Sequence, residues 1–108
     1  MLDINTKTQA IIDKIKTTGL ASEIILFGSY ANGNVNIDSD IDLCIITDET
    51  QKRSRDIIRE IRKAISPIAE LPVDLVVYAK NDFNSRAKLN TTFEYKIKEE
   101  GISLYEQQ

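Results

Sequence analysis

Two connections of unequal kind limit what this chain can fold into. The apolar runs at residues 23–27 and 41–47 are separated by a compact turn region that opens with Gly28-Ser29. The runs at 41–47 and 73–78 are separated by a segment with helical periodicity. A compact turn joins antiparallel neighbours, whereas parallel neighbours need a long crossover, nearly always right-handed. The chain is therefore expected to form a small mixed sheet, with its first two strands antiparallel and its second and third parallel. The end of the first strand and the beginnings of the other two then share one sheet edge. That edge carries Gly28, Ser29, Asp40, Asp42 and Asp74.

Helices are expected to flank this sheet. Residues 3–18 place Ile4, Thr8, Ile11, Ile12 and Ile15 on one helical face, and Gly19 is a natural stop. A second helix at 50–66, capped by Asp48 or Thr50, presents Ile57, Ile58, Ile61, Ile65 and Ile68 inward, with Pro67 and Pro72 bracketing its exit. Thr91 and Glu94 have capping-box spacing for a last helix, with Phe93 and Ile97 as its apolar face. Gly101 ends that helix, and residues 102–105 read as a short edge strand. No repeat or linker interrupts the chain. At 108 residues it reads as one domain, 1–108, of the α/β class: a small mixed sheet with flanking helices.

Composition removes several kinds of chemistry. There is no histidine, so a Ser-His-Asp triad or a histidine-ligated zinc cannot be built from this chain. A net charge of −3 argues against a protein that grips nucleic acid through its phosphates. The single cysteine, Cys44, cannot close an internal disulfide and lies in an apolar run, which fits a buried thiol in a reducing cytoplasm. No apolar run approaches bilayer length, and the N-terminus lacks a signal-peptide pattern.

The shared edge suggests a positive reading. A tight Gly-Ser turn leaves room for a polyphosphate against backbone N–H groups. Asp40 and Asp42, two residues apart at a strand start, point to the same face and can hold Mg²⁺ against that polyphosphate. Nucleotidyl transfer requires in-line attack at the α-phosphorus with departure of pyrophosphate, and two divalent ions can stabilise the incoming and leaving oxygens. Asp40 and Asp42 could bridge two such ions. Asp74 would complete the site nearest the attacking hydroxyl and help remove its proton. Ser29 and the neighbouring backbone would hold the β- and γ-phosphates.

The stretch Gly28-Ser29-x-Ala31-x-Gly33, followed by Ser39-Asp40-Ile41-Asp42-Leu43, resembles the signature of the DNA polymerase beta-like nucleotidyltransferase superfamily. In size the chain is most similar to the minimal nucleotidyltransferase (MNT) group. The resemblance implies the polymerase beta-like fold, ATP as the nucleoside triphosphate donor and Mg²⁺, as two ions, as cofactor. It also implies Gly28, Ser29, Gly33 and Ser39 as nucleotide-binding residues and Asp40, Asp42 and Asp74 as catalytic and metal-binding ones. Asn32 stands where many relatives carry a basic residue, so no charged phosphate contact is expected there. Minimal members often pair with a small helical HEPN protein as the antitoxin of a toxin–antitoxin system, and some are thought to adenylylate the toxin. No segment outside the core is long enough to enclose a small acceptor. The expected acceptor is therefore a hydroxyl on a partner protein, such as that of a tyrosine.

Other readings compete. The domain could neutralise a HEPN partner by contact alone, without catalysis. A stand-alone RNA-modifying enzyme fits poorly with the net charge. Asp38, Asp40, Asp42 and Glu49 match calcium-loop spacing, but Leu43 occupies the position where that loop needs glycine. The cations of the 50–66 helix, including Arg55, Arg59, Arg62 and Lys63, read as a solvated face ahead of an RNA or acidic-partner patch.

Overall fold

A computed structural model describes residues 6–32, 40–49, 51–69 and 72–107. The elements run α1 (Thr6–Thr17), β1 (Glu23–Phe27), the single turn α2 (Ser29–Asn32), β2 (Ile41–Thr47), α3 (Ser54–Ile65), β3 (Val73–Ala79), α4 (Lys80–Ala87), α5 (Phe93–Glu100) and β4 (Ile102–Glu106). The strands form one mixed sheet in the order β3-β2-β1-β4. β1 is antiparallel to both β2 and β4, and β2 is parallel to β3, so the expected pairing holds.

Alternation along each strand divides the apolar residues between two faces. Ile24 and Leu26 of β1, Ile41, Leu43 and Ile45 of β2, and Val73 and Leu75 of β3 pack with Ile11, Ile12 and Ile15 of α1 and Ile57, Ile61 and Ile65 of α3. The other face joins Ile25, Cys44 and Ile46 to Phe83 and Ala87 of α4 and Ile97 of α5. Asp42 shares this second face with Cys44 and Ile46, and Asp74 shares it with Val76 and Tyr78, because each lies an even number of residues away. The larger core on one side thus fixes strands whose opposite side carries the carboxylates.

Several local expectations are corrected. α3 begins at Ser54, after Arg53, which makes no side-chain cap. The preceding residues make local turns instead: Glu49 N donates to Thr47 Oγ1 at 2.9 Å, and Gln51 N donates to Glu49 Oε1 at 2.6 Å. Such side-chain acceptors satisfy the backbone without a helix. Asp48 is therefore not the cap, and Thr50 lies outside the described residues. Ile58 is only partly buried, and Ile68, beyond the helix end, is exposed.

The cap of α5 is Thr92, one residue later than expected, with its hydroxyl accepting from Tyr95 N at 3.0 Å. Glu94 instead accepts from Tyr78. Phe93, expected to face inward, is half exposed, whereas Ile97 is buried. Gly101 follows α5 in extended backbone, and a Cβ there would meet Ile25 Cγ2 at 2.6 Å. α4 has no counterpart among the elements expected from sequence. Ile4 lies outside the described residues.

Candidate active site

The site is built where β1 ends and β2 and β3 begin. In the sheet register Phe27 stands opposite Asp42, and Asp42 stands level with Asp74 across the parallel pair. Same-level residues on neighbouring strands project to the same face, so the two carboxylates are side by side. Asp40 precedes β2 and is half-buried, as is Asp42, while Asp74 is exposed.

Gly28 closes the arrangement from the β1 side. Its φ of +75° is a left-handed conformation, and a Cβ on it would collide with the carboxylate of Asp42. The turn is tight: Ala31 N donates to Gly28 O at 3.1 Å, and α2 starts at the half-buried Ser29. Gly33 and Ser39 lie outside the described residues. Of the residues singled out from sequence, Gly28, Ser29, Asp40, Asp42 and Asp74 therefore meet at one edge.

The electrostatics follow from crowding. Burial pushes the Asp42 carboxyl above the usual carboxylate range, and the charges of Asp74 and Asp40 push it the same way. A hydrogen bond from protonated Asp42 to Asp74 adds to the effect. Among the described residues no three carboxylate or thiol groups are gathered into a metal cage. Mg²⁺ is usually held by one or two carboxylates together with substrate phosphates. Hard oxygen donors of like charge, paired in register beside the tight Gly28 turn, fit such an ion.

Two concavities bear on the site. A cavity of about 240 Å³ between the end of β1 and α5 is lined by Phe27, Gly28, Phe93, Lys96, Ile97 and Glu100. Sequence reading missed it, although Phe93, Lys96, Ile97 and Glu100 have the spacing of one helical face. A larger, open groove of about 870 Å³ runs along α3 between Arg55 and Val73, where Arg62 Nη1 donates to Val73 O at 3.1 Å. Size favours the groove, but only the smaller cavity shares a residue, Gly28, with the carboxylate edge. Cys44 takes no part: it is fully buried, and burial, followed by the charges of Glu23 and Glu94, pushes its thiol up to about 12.

The geometry has counterparts. Residues 9–102 match the family described as Nucleotidyltransferase domain. A candidate protein adenylyltransferase of Methanocaldococcus jannaschii is 33% identical over 92 residues, covering 85% of this chain and 86% of that protein. The crystal structure of a candidate nucleotidyltransferase from Sulfolobus solfataricus superposes with a TM-score of 0.57 at 14% identity, over 93% of this chain and 78% of that one. A toxin–antitoxin crystal structure with AMP-PNP superposes with a TM-score of 0.52 at 20% identity, over 96% of this chain and 76% of that one. No helix among the described residues is long and apolar enough to cross a membrane. On the family match and the relative one-third identical across most of both chains, this chain belongs to the nucleotidyltransferase domain family and is a nucleotidyltransferase.

Proposed function

We propose that this chain transfers AMP from ATP, with Mg²⁺, to a hydroxyl on a partner protein, and that it is the cytoplasmic antitoxin of a HEPN/MNT pair. The observation that carries the reading is the level pairing of Asp42 with Asp74, within electrostatic reach of Asp40 and against the Gly28 turn. The name of the M. jannaschii relative, a candidate protein adenylyltransferase, supports a protein acceptor. The toxin–antitoxin assembly with AMP-PNP supports the adenine nucleotide and the pairing.

Asp40 and Asp42 would hold Mg²⁺, with Asp74 as a further ligand on the acceptor side. The bound ions would neutralise charge on the phosphate oxygens of the donor. The backbone at Gly28 and Ser29 would orient the β- and γ-phosphates, and Gly33 and Ser39 would contribute through the same motif. The acceptor oxygen bonds to the α-phosphorus as the bond to the bridging α–β oxygen breaks and pyrophosphate leaves. Asp74, the most exposed of the three carboxylates, takes the acceptor's proton. A tyrosine on the partner has the required hydroxyl.

The test is incubation with Mg²⁺, labelled ATP and the protein encoded by the neighbouring reading frame, read by intact mass. A gain of one AMP on the partner, lost in Asp40→Asn and Asp74→Asn, is the expected result. Labelling of RNA or a small molecule with none on the partner overturns the protein acceptor. If Asp40→Asn still neutralises the partner fully on co-expression, contact suffices and the catalytic account of the pair fails.

A further inference from the structure

We propose that the cavity between β1 and α5 receives the purine base of the nucleotide donor, with Phe93 as stacking platform and Lys96 and Glu100 at its polar rim. This rests on the reading of the carboxylate edge given above and adds to it where the base goes.

Position comes first. Gly28 forms part of the cavity wall and also lies against the Asp42 carboxylate, so the cavity opens beside the turn assigned to the phosphates. Its volume of about 240 Å³ is smaller than pockets that enclose a whole ligand of roughly 300 Å³ or more. It suits one fused ring system whose sugar and phosphates continue outward along the sheet edge.

The lining suits the same occupant. The rings of Phe27 and Phe93 meet edge to face, with centroids 5.6 Å apart and planes at 81°. Phe27 buttresses Phe93, which stays 51% exposed. A large ring fixed in place yet open to solvent is a surface on which a flat heterocycle can stack.

The polar groups complete the match. Phe93, Lys96, Ile97 and Glu100 lie on one face of α5, so a cation and a carboxylate flank the apolar floor. Neither Lys96 nor Glu100 has an ion-pair or side-chain hydrogen-bond partner among the described residues. A purine presents to such a pair an amino or ring N–H donor for Glu100, and a ring nitrogen or carbonyl acceptor for Lys96. An aliphatic side chain of a partner protein would satisfy the floor but leave both charges unused.

The test measures Mg²⁺-linked binding of ATP and of inorganic tripolyphosphate by calorimetry, to the intact protein and to two variants. Phe93→Ala should weaken ATP binding by about ten-fold or more, the scale of one lost base stack, and leave tripolyphosphate unchanged. The chain has no tryptophan, so Phe93→Trp installs a single reporter at the cavity. ATP should quench its fluorescence, and tripolyphosphate should not. Unchanged ATP affinity in Phe93→Ala, with affinity lost in Asp42→Asn, overturns the base placement alone and assigns the cavity to another occupant, such as a partner's side chain. Absence of Mg²⁺-linked binding of either probe to the unmodified protein overturns the carboxylate-edge reading and the base placement together.

Discussion

Replacing Tyr78 by phenylalanine isolates one interaction whose size can be worked from the structure. The Tyr78 hydroxyl, on β3, donates to Glu94 Oε2, on α5, at 2.8 Å, and Glu94 is 8% exposed. Phenylalanine keeps the ring and its packing on Phe83, 5.5 Å away between centroids. What disappears is a hydrogen bond to a charged group, of about 1.5–3 kcal/mol, leaving a buried carboxylate without it. Two features favour the lower end. Tyr78 is only partly buried, so water can replace its hydroxyl, and Glu94 lies in the first turn of α5, where the helix dipole favours a negative charge. The expected loss is about 1.5 kcal/mol, a fall in Tm of roughly 6–10 °C for a domain of this size.

Urea and thermal melts at neutral pH measure that loss, and alkaline pH supplies an independent check. Burial, then the hydrogen bond and charge of Glu94, push the Tyr78 phenol from 10 to about 12. Between those values the unfolded chain loses the proton first, so the folded state binds more protons and stability falls as pH rises. The stability difference between the parent and Tyr78→Phe should be constant below pH 10 and shrink from pH 10 towards 12. Pairing Tyr78→Phe with Glu94→Gln should recover part of the loss, because no buried charge is then left unpaired. A Tyr78→Phe variant within about 0.5 kcal/mol of the parent, the range of an ordinary surface change, refutes the reasoning.

Other outcomes follow from the site and the core. Gly28→Ala should cost about 1–2 kcal/mol from its left-handed backbone alone and abolish transfer, since the added Cβ displaces the Asp42 carboxylate; melts and the AMP-transfer assay check both. Asp42 is held above the usual carboxylate range, so its folded form favours the proton, and the metal-free protein loses stability as pH rises through and beyond 3.8. Asp42→Asn should therefore raise Tm at neutral pH in a chelator while ending transfer; a lower Tm contradicts the crowding argument. Cys44 should resist a thiol reagent at mild alkaline pH until the chain unfolds, then react once, as absorbance would record.

The parts of this molecule that were legible in the sequence share a cause. Strands were readable because Ile24 to Leu26 and Leu43 to Ile46 are short apolar runs beside turn residues, and sheet topology followed from what joins them. The edge that collects Gly28, Asp42 and Asp74 was a corollary of that topology. α4 escaped because its sequence, Lys-Asn-Asp-Phe-Asn-Ser-Arg-Ala, buries only Phe83 and Ala87, too weak a pattern to outweigh its polar residues. The starts of α3 and α5 differ from expectation because side chains near a helix start can satisfy the backbone in more than one way: Thr47 and Glu49 accept from turns ahead of an uncapped α3, and Thr92 rather than Thr91 caps α5. The cavity beside Phe27 is not legible because spacing alone reads Phe93 as core, whereas the folded chain leaves it half exposed with its ring edge to face on Phe27.

The site's precision comes from residues that never touch a nucleotide. Asp74 stands level with Asp42 only because β3 pairs in one register with β2. Val73 and Leu75, its neighbours on either side, are buried with α1 and α3 on the opposite face, and so are Ile41 and Leu43 around Asp42. A slip of one residue would turn Asp74 into that core and expose Val73 and Leu75, reversing every side chain of the strand. The apolar alternation thus excludes the register in which the carboxylates part. Crowding at the edge works the other way, since burial, followed by the charges of Asp74 and Asp40, disfavours the charged form of Asp42. A cation that relieves the repulsion gains from a pairing already fixed by the core. The fold carries the cost of holding like charges together, so a ligand proposed to bind them would meet a site that needs little rearrangement.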